Sequence, residues 1–189
     1  MFKPLLGLSI AALFSVGAQA APVTYKVEPS HTYVQARYQH LGFSTQSIRF
    51  DDVHGTITLD LEAKTGAIDM TVDSSSLSSG FATFDGHLNG KDHLDTVTFP
   101  KATFTSTDVK FEGDTPVSAQ GELTIKGISQ AVTLDITHFK AQPHPMLRKD
   151  AIGADGIIRI KRSEFNAGKN APAVSDETEI VIAIEAIAQ

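Results

Sequence analysis

The sequence predicts an all-β protein of eight or nine antiparallel strands, built as a sandwich or an up-and-down barrel. Three observations carry this. Polar and apolar residues alternate with a period of two in run after run, the mark of strands with one wet and one buried face. No run keeps a helical period for more than about three turns. Short turn signals separate the runs, and Lys64-Thr65-Gly66 and Lys126-Gly127 are compact enough for hairpins.

The elements follow in order. Lys3 gives a positive start, Leu5 to Val16 is almost wholly apolar, and Ala18-Gln19-Ala20 offers small residues to a signal peptidase. Residues 1–20 therefore read as a cleaved signal peptide, and an apolar run of ~12 residues is too short for a span of roughly 20. Residues 21–189 form one domain. A short strand is expected at Thr24–Val27, then a clear row at Val34, Ala36, Tyr38 and His40 against Gln35, Arg37 and Gln39. Ile57, Leu59 and Leu61 make the next row, followed by weaker strands at Ala67–Asp73, Ala102–Val109 and Ala119–Ile125. Phe84 to Leu94 breaks the pattern and reads as a short helix, with Phe99-Pro100 beyond it. Val132, Leu134 and Ile136 alternate with Thr133, Asp135 and Thr137, and Gln142 to Asp150 forms the one long loop. A strand at Ile157–Arg162 precedes the cleanest row, Ile180, Ile182, Ile184 and Ala186.

Composition narrows the function. There is no cysteine, which removes disulfides, thiolate metal sites and cysteine nucleophiles. Sixteen basic residues face 22 acidic ones, so no basic stripe is available for nucleic acid. Ser78-Ser79-Gly80 is not the Gly-x-Ser-x-Gly elbow of a serine hydrolase, and neither a phosphate-cradling loop nor a dinucleotide fingerprint is present. The seven histidines, His31, His40, His54, His87, His93, His138 and His144, lack the short spacing of a zinc site. An eight-stranded barrel is about the smallest that can enclose a small ligand. The inward rows hold few bulky groups and no tryptophan, but periodicity does not separate a hollow barrel from a filled one.

From Tyr25 onward a series of motifs recurs in order. They are Tyr25-Lys26-Val27-Glu28-Pro29-Ser30-His31-Thr32, then His40-Leu41-Gly42-Phe43-Ser44, Asp85-Gly86-His87-Leu88 and Phe99-Pro100-Lys101-Ala102-Thr103-Phe104. Gly121-Glu122-Leu123-Thr124-Ile125-Lys126-Gly127, the most specific, and Arg162-Ser163-Glu164-Phe165-Asn166 complete the set. Through them the chain resembles the YceI-like family of periplasmic polyisoprenoid-binding proteins. Departures are Ser47-Ile48-Arg49-Phe50 in place of a usual Gly-x-Phe, and Glu164 and Asn166 for Asp and Gly. Ala36 for a commoner Phe and Tyr38 for a commoner Val are expected to reshape the tunnel.

The resemblance implies an extended eight-stranded lipocalin-like barrel, with a short helical segment near 84–94. It implies a periplasmic protein that binds, sequesters or transports a long apolar lipid: a polyisoprenoid, a quinone-like molecule or a fatty-acyl amide or acid. No enzyme activity, metal or cofactor is implied, and a homodimer is expected. The tunnel wall is assigned to Val34, Ala36, Tyr38, Leu59, Phe104, Leu123, Leu134, Ile136, Ile158, Ile182 and Ile184. His40 and His87 join them as ligand-binding candidates. These two and His31 either anchor the helical segment through backbone hydrogen bonds or face the ligand's polar head. The alternative is a solid barrel serving as an extracytoplasmic protein-interaction or metal-dependent enzyme domain.

Overall fold

The computed structural model describes residues 21–189, so the signal peptide expected at 1–20 lies outside the described residues. The strands are β1 (Val23–Val27), β2 (Tyr33–His40), β3 (Ser44–Phe50), β4 (Val53–Asp60), β5 (Thr65–Asp73) and β6 (Leu77–Ser78). Helix α1 (Ala82–Asn89) follows, then β7 (Lys101–Glu112), β8 (Thr115–Ile125), β9 (Ile128–Pro143), β10 (Asp150–Lys161) and β11 (Val174–Ala188).

Six of these strands are halves of three bent ones. β1 and β2 lie end to end along one edge of β11, β1 against Ala186–Ala188 and β2 from Ala183 back to Val174. β4 pairs with β1 while β3 pairs with β2, and β5 pairs with β4 while β6 pairs with β3. With each bent strand counted once, the fold is a closed eight-stranded antiparallel meander. The β1–β11 pairing seals the ring. Turns 61–64, 113–114 and 144–149 gather at one end, and turns 41–43 and 126–127, loop 166–173 and α1 at the other, the helix end.

Local chemistry explains the bends. Between β1 and β2, Pro29–His31 form a 3-10 turn capped by Glu28. Its carboxylate accepts from the backbone N–H of Ser30 and His31, the Ser30 hydroxyl (2.7 Å) and the His31 ring (2.8 Å). Just past the second bend, at residues 51–52, Gly55 of β4 has φ of 151°, and a Cβ there would lie 2.1 Å from the Asp69 carbonyl oxygen. At the third, Asp73 caps the turn Ser74–Ser76. The two-residue β8–β9 hairpin places Lys126 and Gly127 at positive φ, the left-handed pair such a turn requires.

Strand β3 is where the sequence showed none. Its burial follows no alternation, because Ser44 to Ser47 are exposed at the open rim and only Ile48 is buried. β9, β10 and β11 also outrun their expected limits: the last residues of β9 are exposed, while β10 begins early enough to bury Ile152 ahead of a bulge at Asp155–Gly156 that interrupts its alternation. Leu61, the last member of an expected inward row, sits 37% exposed in the β4–β5 turn. The helix is also shorter than expected. It ends at Asn89 before Gly90, and Asp95 at positive φ turns the chain back. Leu88 buries against Ile48 and Leu77, with Phe84, Leu94, Tyr38 and Phe50 around them, so α1 covers the helix end beside β3 and β6.

Arg162 holds the opposite side of that end. Its Nε donates to the Ser175 carbonyl, Nη1 to those of Ala167 and Lys169, and Nη2 to those of Val174 and Ser175. One guanidinium thus organises loop 166–173, with all five donors engaged. Lys169 Nζ reaches Asp92 Oδ2 at 2.6 Å and ties this loop to the segment after α1.

Two predictions follow from these joints. Glu28→Ala removes the cap and is expected to cost about 1 kcal/mol at pH 7, or roughly 2–4 °C in melting temperature. Hydrogen bonds from Ser30 and His31 lower the Glu28 pKa from 4.5 to about 2. The stabilisation is therefore present above pH 4.5 and lost as pH falls towards 2, so melting scans should show the wild-type advantage shrinking across that window. Arg162→Lys keeps the charge but loses the five-donor fork. It is expected to cost about 2–3 kcal/mol, read as a lower denaturant midpoint at unchanged slope.

Candidate ligand-binding site

The inward rows do not meet across the barrel. They enclose a cavity of about 340 Å³ with an almost wholly apolar wall, within the range of small-molecule sites. Several inward residues, among them Val34, Ala36, Leu134, Ile136 and Ile182, are only half-buried because they face this space. The cavity reaches the surface at the helix end, where exposed His40, Lys169 and Asn170 border it. The far end is packed by Tyr25, Ile57, Leu59, Ile152, Ile184 and Ala186.

All but one of the residues predicted from sequence line this cavity. β2 contributes Val34, Ala36, Tyr38 and His40; β4 contributes Leu59; β7 contributes Phe104; β8 contributes Leu123. Leu134 and Ile136 come from β9, Ile158 from β10, and Ile182 and Ile184 from β11. On β9 the inward parity changes after Ile136, where a bulge between Asp155 and Gly156 shifts the β10 register, so Phe139 is the next wall residue.

His87 is the exception. It is exposed on α1, and its neighbour Leu88 takes the inward position. Besides His40, the histidine at the wall is His93, which lies past the end of the helix. Burial lowers its pKa, Lys169 adds to this, and a hydrogen bond to the His87 backbone opposes it. Burial thus favours its uncharged form. His31 is remote from α1 and binds Glu28 instead, 66% exposed. Among the described residues, Glu28, His31 and Glu185 hold potential metal-ligating atoms within 4.8 Å of one another, but Glu28 is already occupied by capping the 3-10 turn.

Polar wall groups cluster at the helix end. Tyr38 and Thr178 are cross-strand partners on β2 and β11, just past a register break between Val174 and Thr178. Burial raises the Tyr38 pKa, and the nearby Arg162 charge works against that. Thr178 is 6% exposed, and its Oγ1 has no hydrogen-bond partner among the described residues. Parity in the cleanest row of the sequence points Thr178 inward with Ile180 and Ile182, but its polarity kept it off the predicted wall. Phe84 on α1, His93 beyond it and Phe165 in the 3-10 turn Arg162–Phe165 lie outside the strands, where alternation does not reach.

The comparisons agree with this architecture. The model of the YceI-like domain matches residues 25–186. "Protein YceI" of Escherichia coli O157:H7 is 35% identical, with both chains fully covered. Among solved structures, Burkholderia cenocepacia BcnA superposes with a TM-score of 0.70 at 26% identity, over 84% of this chain and 98% of that one. A Campylobacter jejuni YCEI protein gives 0.68 at 26% identity, over 80% and 90%. A Saccharophagus degradans domain described as polyisoprenoid binding gives 0.67 at 14% identity, over 88% and 99%, a likeness of fold. On the family match and the full-length relatives together, the chain belongs to the YceI-like family.

Proposed function

We propose that this protein binds a long apolar lipid inside its barrel and carries or sequesters it outside the cytoplasm. The observation that carries the reading is the cavity itself, an apolar space inside the barrel that is packed at one end and opens at the helix end. A polyisoprenoid, a quinone-like molecule or a fatty-acyl chain fits that chemistry. Each buried CH₂ contributes ~0.8 kcal/mol gross, so a five-carbon unit contributes about 4 kcal/mol. Association costs about 4–15 kcal/mol, so more than one such unit must be enclosed before binding is tight.

The signal-peptide pattern at 1–20 supports a periplasmic location, and no helix among the described residues is long and apolar enough to cross a membrane. The reading assigns neither a catalytic residue nor a cofactor. Polar groups at the wall near the helix end include Tyr38, His40, His93 and Arg162, whose guanidinium is committed to backbone carbonyls, a set suited to holding a head group.

The test is a titration of purified protein with a prenyl phenol, followed by quenching of tyrosine fluorescence. Saturable binding at about one lipid per chain is expected. Ala36→Trp adds an indole to the cavity and should weaken binding at least tenfold with melting largely kept. Equal affinity in this variant and the wild type would place the lipid elsewhere.

A further inference from the structure

Among the described residues, the large apolar side chains left exposed stand at the two ends of the barrel and not on its flanks. Four of them are at the helix end, where the cavity opens. Leu41 and Phe43 tip the β2–β3 turn, Phe81 precedes α1 and Val97 follows it; Phe43 and Val97 are 88% and 91% exposed. Single exposed apolar residues are ordinary, whereas a group of them from separate segments around one opening marks a site of interaction.

The β2–β3 turn holds its leucine in a strained conformation. Leu41 and Gly42 have φ of 54° and 73°, and the Phe43 N–H donates to the His40 carbonyl at 3.0 Å. Turns with both central residues left-handed favour Asn-Gly, and a bulky side chain at positive φ is an outlier. The Leu41 N–H donates to the Ala173 carbonyl, so the tip is fixed against loop 166–173. Neither Leu41 nor Phe43 belongs to a packed cluster of the barrel, so the stability of the fold does not explain them.

The charges of this end let a bilayer approach. In its loops and helix, Lys91, Lys126, Arg162 and Lys169 balance Asp85, Asp92, Asp95 and Glu164, while the whole chain carries −6. Asp92 is paired with Lys169, and Asp85 accepts from the Ser79 N–H and hydroxyl. The excess acid lies elsewhere on the barrel, so anionic head groups are repelled by the rest of the surface and not by the mouth. The far end bears exposed Leu61, Met146 and Leu147, but Tyr25, Ile57 and Leu59 pack it shut. The helix end alone joins exposed apolar side chains to an open apolar cavity.

We propose that Leu41, Phe43, Phe81 and Val97 seat the cavity mouth on a lipid bilayer, so that the ligand passes between bilayer and barrel without crossing water. This rests on the lipid-binding reading above. Passage through water would expose the whole apolar chain, and a seated mouth avoids that. The contact is apolar insertion rather than charge attraction, so it needs no anionic lipid and resists salt.

The chain has no tryptophan, so one introduced at the tip reports on its own surroundings. Phe43→Trp is expected to shift its emission to the blue on addition of phosphatidylcholine vesicles, at low and high salt alike, while Met146→Trp at the far end shows no shift. Phe43 is not part of the cavity wall. Phe43→Ser should therefore lower vesicle affinity about tenfold and slow transfer of a prenyl phenol from vesicles to protein by a similar factor. Its melting temperature and its affinity for the phenol in solution should stay at wild-type values, which separates docking from damage to the barrel. Equal shifts at both tryptophans, no shift at Phe43→Trp, or a transfer rate untouched by Phe43→Ser would overturn the docking and leave lipid binding standing. A shift that grows with protein concentration without vesicles, with light scattering at the dimer mass, would overturn it in favour of a second copy of the chain. Failure of the prenyl phenol to bind the wild type would overturn the lipid-binding reading itself.

Discussion

The ring closure between β1 and β11 is the constraint on which the rest depends. β1 contributes three residue pairs to it, Tyr25 with Ala188, Lys26 with Ile187 and Val27 with Ala186, and β2, the other half of the same bent strand, continues it along β11. Once an antiparallel sheet of eight strands is closed, the interior width follows from strand number and tilt. Side chains must then fill that width or leave it hollow. Here the wall is Val, Ile, Leu and Ala with a few phenylalanines, and there is no tryptophan to reach the axis. Large packed clusters form at the ends and corners, and the middle remains a cavity.

The three bends serve that closure. On one side of the barrel the long strands are broken and redirected, at β1–β2, β3–β4 and β5–β6, while β11 runs unbroken beside both β1 and β2. Each bend has its own polar device: the Glu28 cap, the tight approach at Gly55 and the Asp73 cap. The gap left at the helix end is covered by α1, while Arg162 gathers loop 166–173 on the other side of the mouth. Wall polarity follows from this division. Tyr38, His40 and Thr178 enter the wall at the helix-end positions of otherwise apolar inward rows, and His93 from the segment after α1.

What was legible in the sequence follows the same division. The rows at Val34–His40 and Ile180–Ala186 reveal both strand and inward face, because water on one side and lipid-like space on the other demand strict alternation. β3 was hidden, since a rim strand exposed on both faces has no such demand. His87 looked functional from its motif, but its place on the outer face of α1 depends on Leu88 packing against β3 and β6, a tertiary contact. Thr178 was hidden in plain parity, a polar residue at an inward position of an otherwise apolar row. The order of motifs pointed to the fold, while hollow against solid depended on side-chain volumes meeting across strands far apart in sequence.

The central claim is that a lipid chain occupies the barrel interior. Methyl-labelled protein mixed with a prenyl phenol allows nuclear Overhauser contacts to be read between the lipid and individual side chains. The account predicts contacts from the prenyl protons to Leu134, Ile158 and Ile182. Contacts confined to surface residues such as Leu41 and Leu147, with the interior methyls unperturbed, would contradict it.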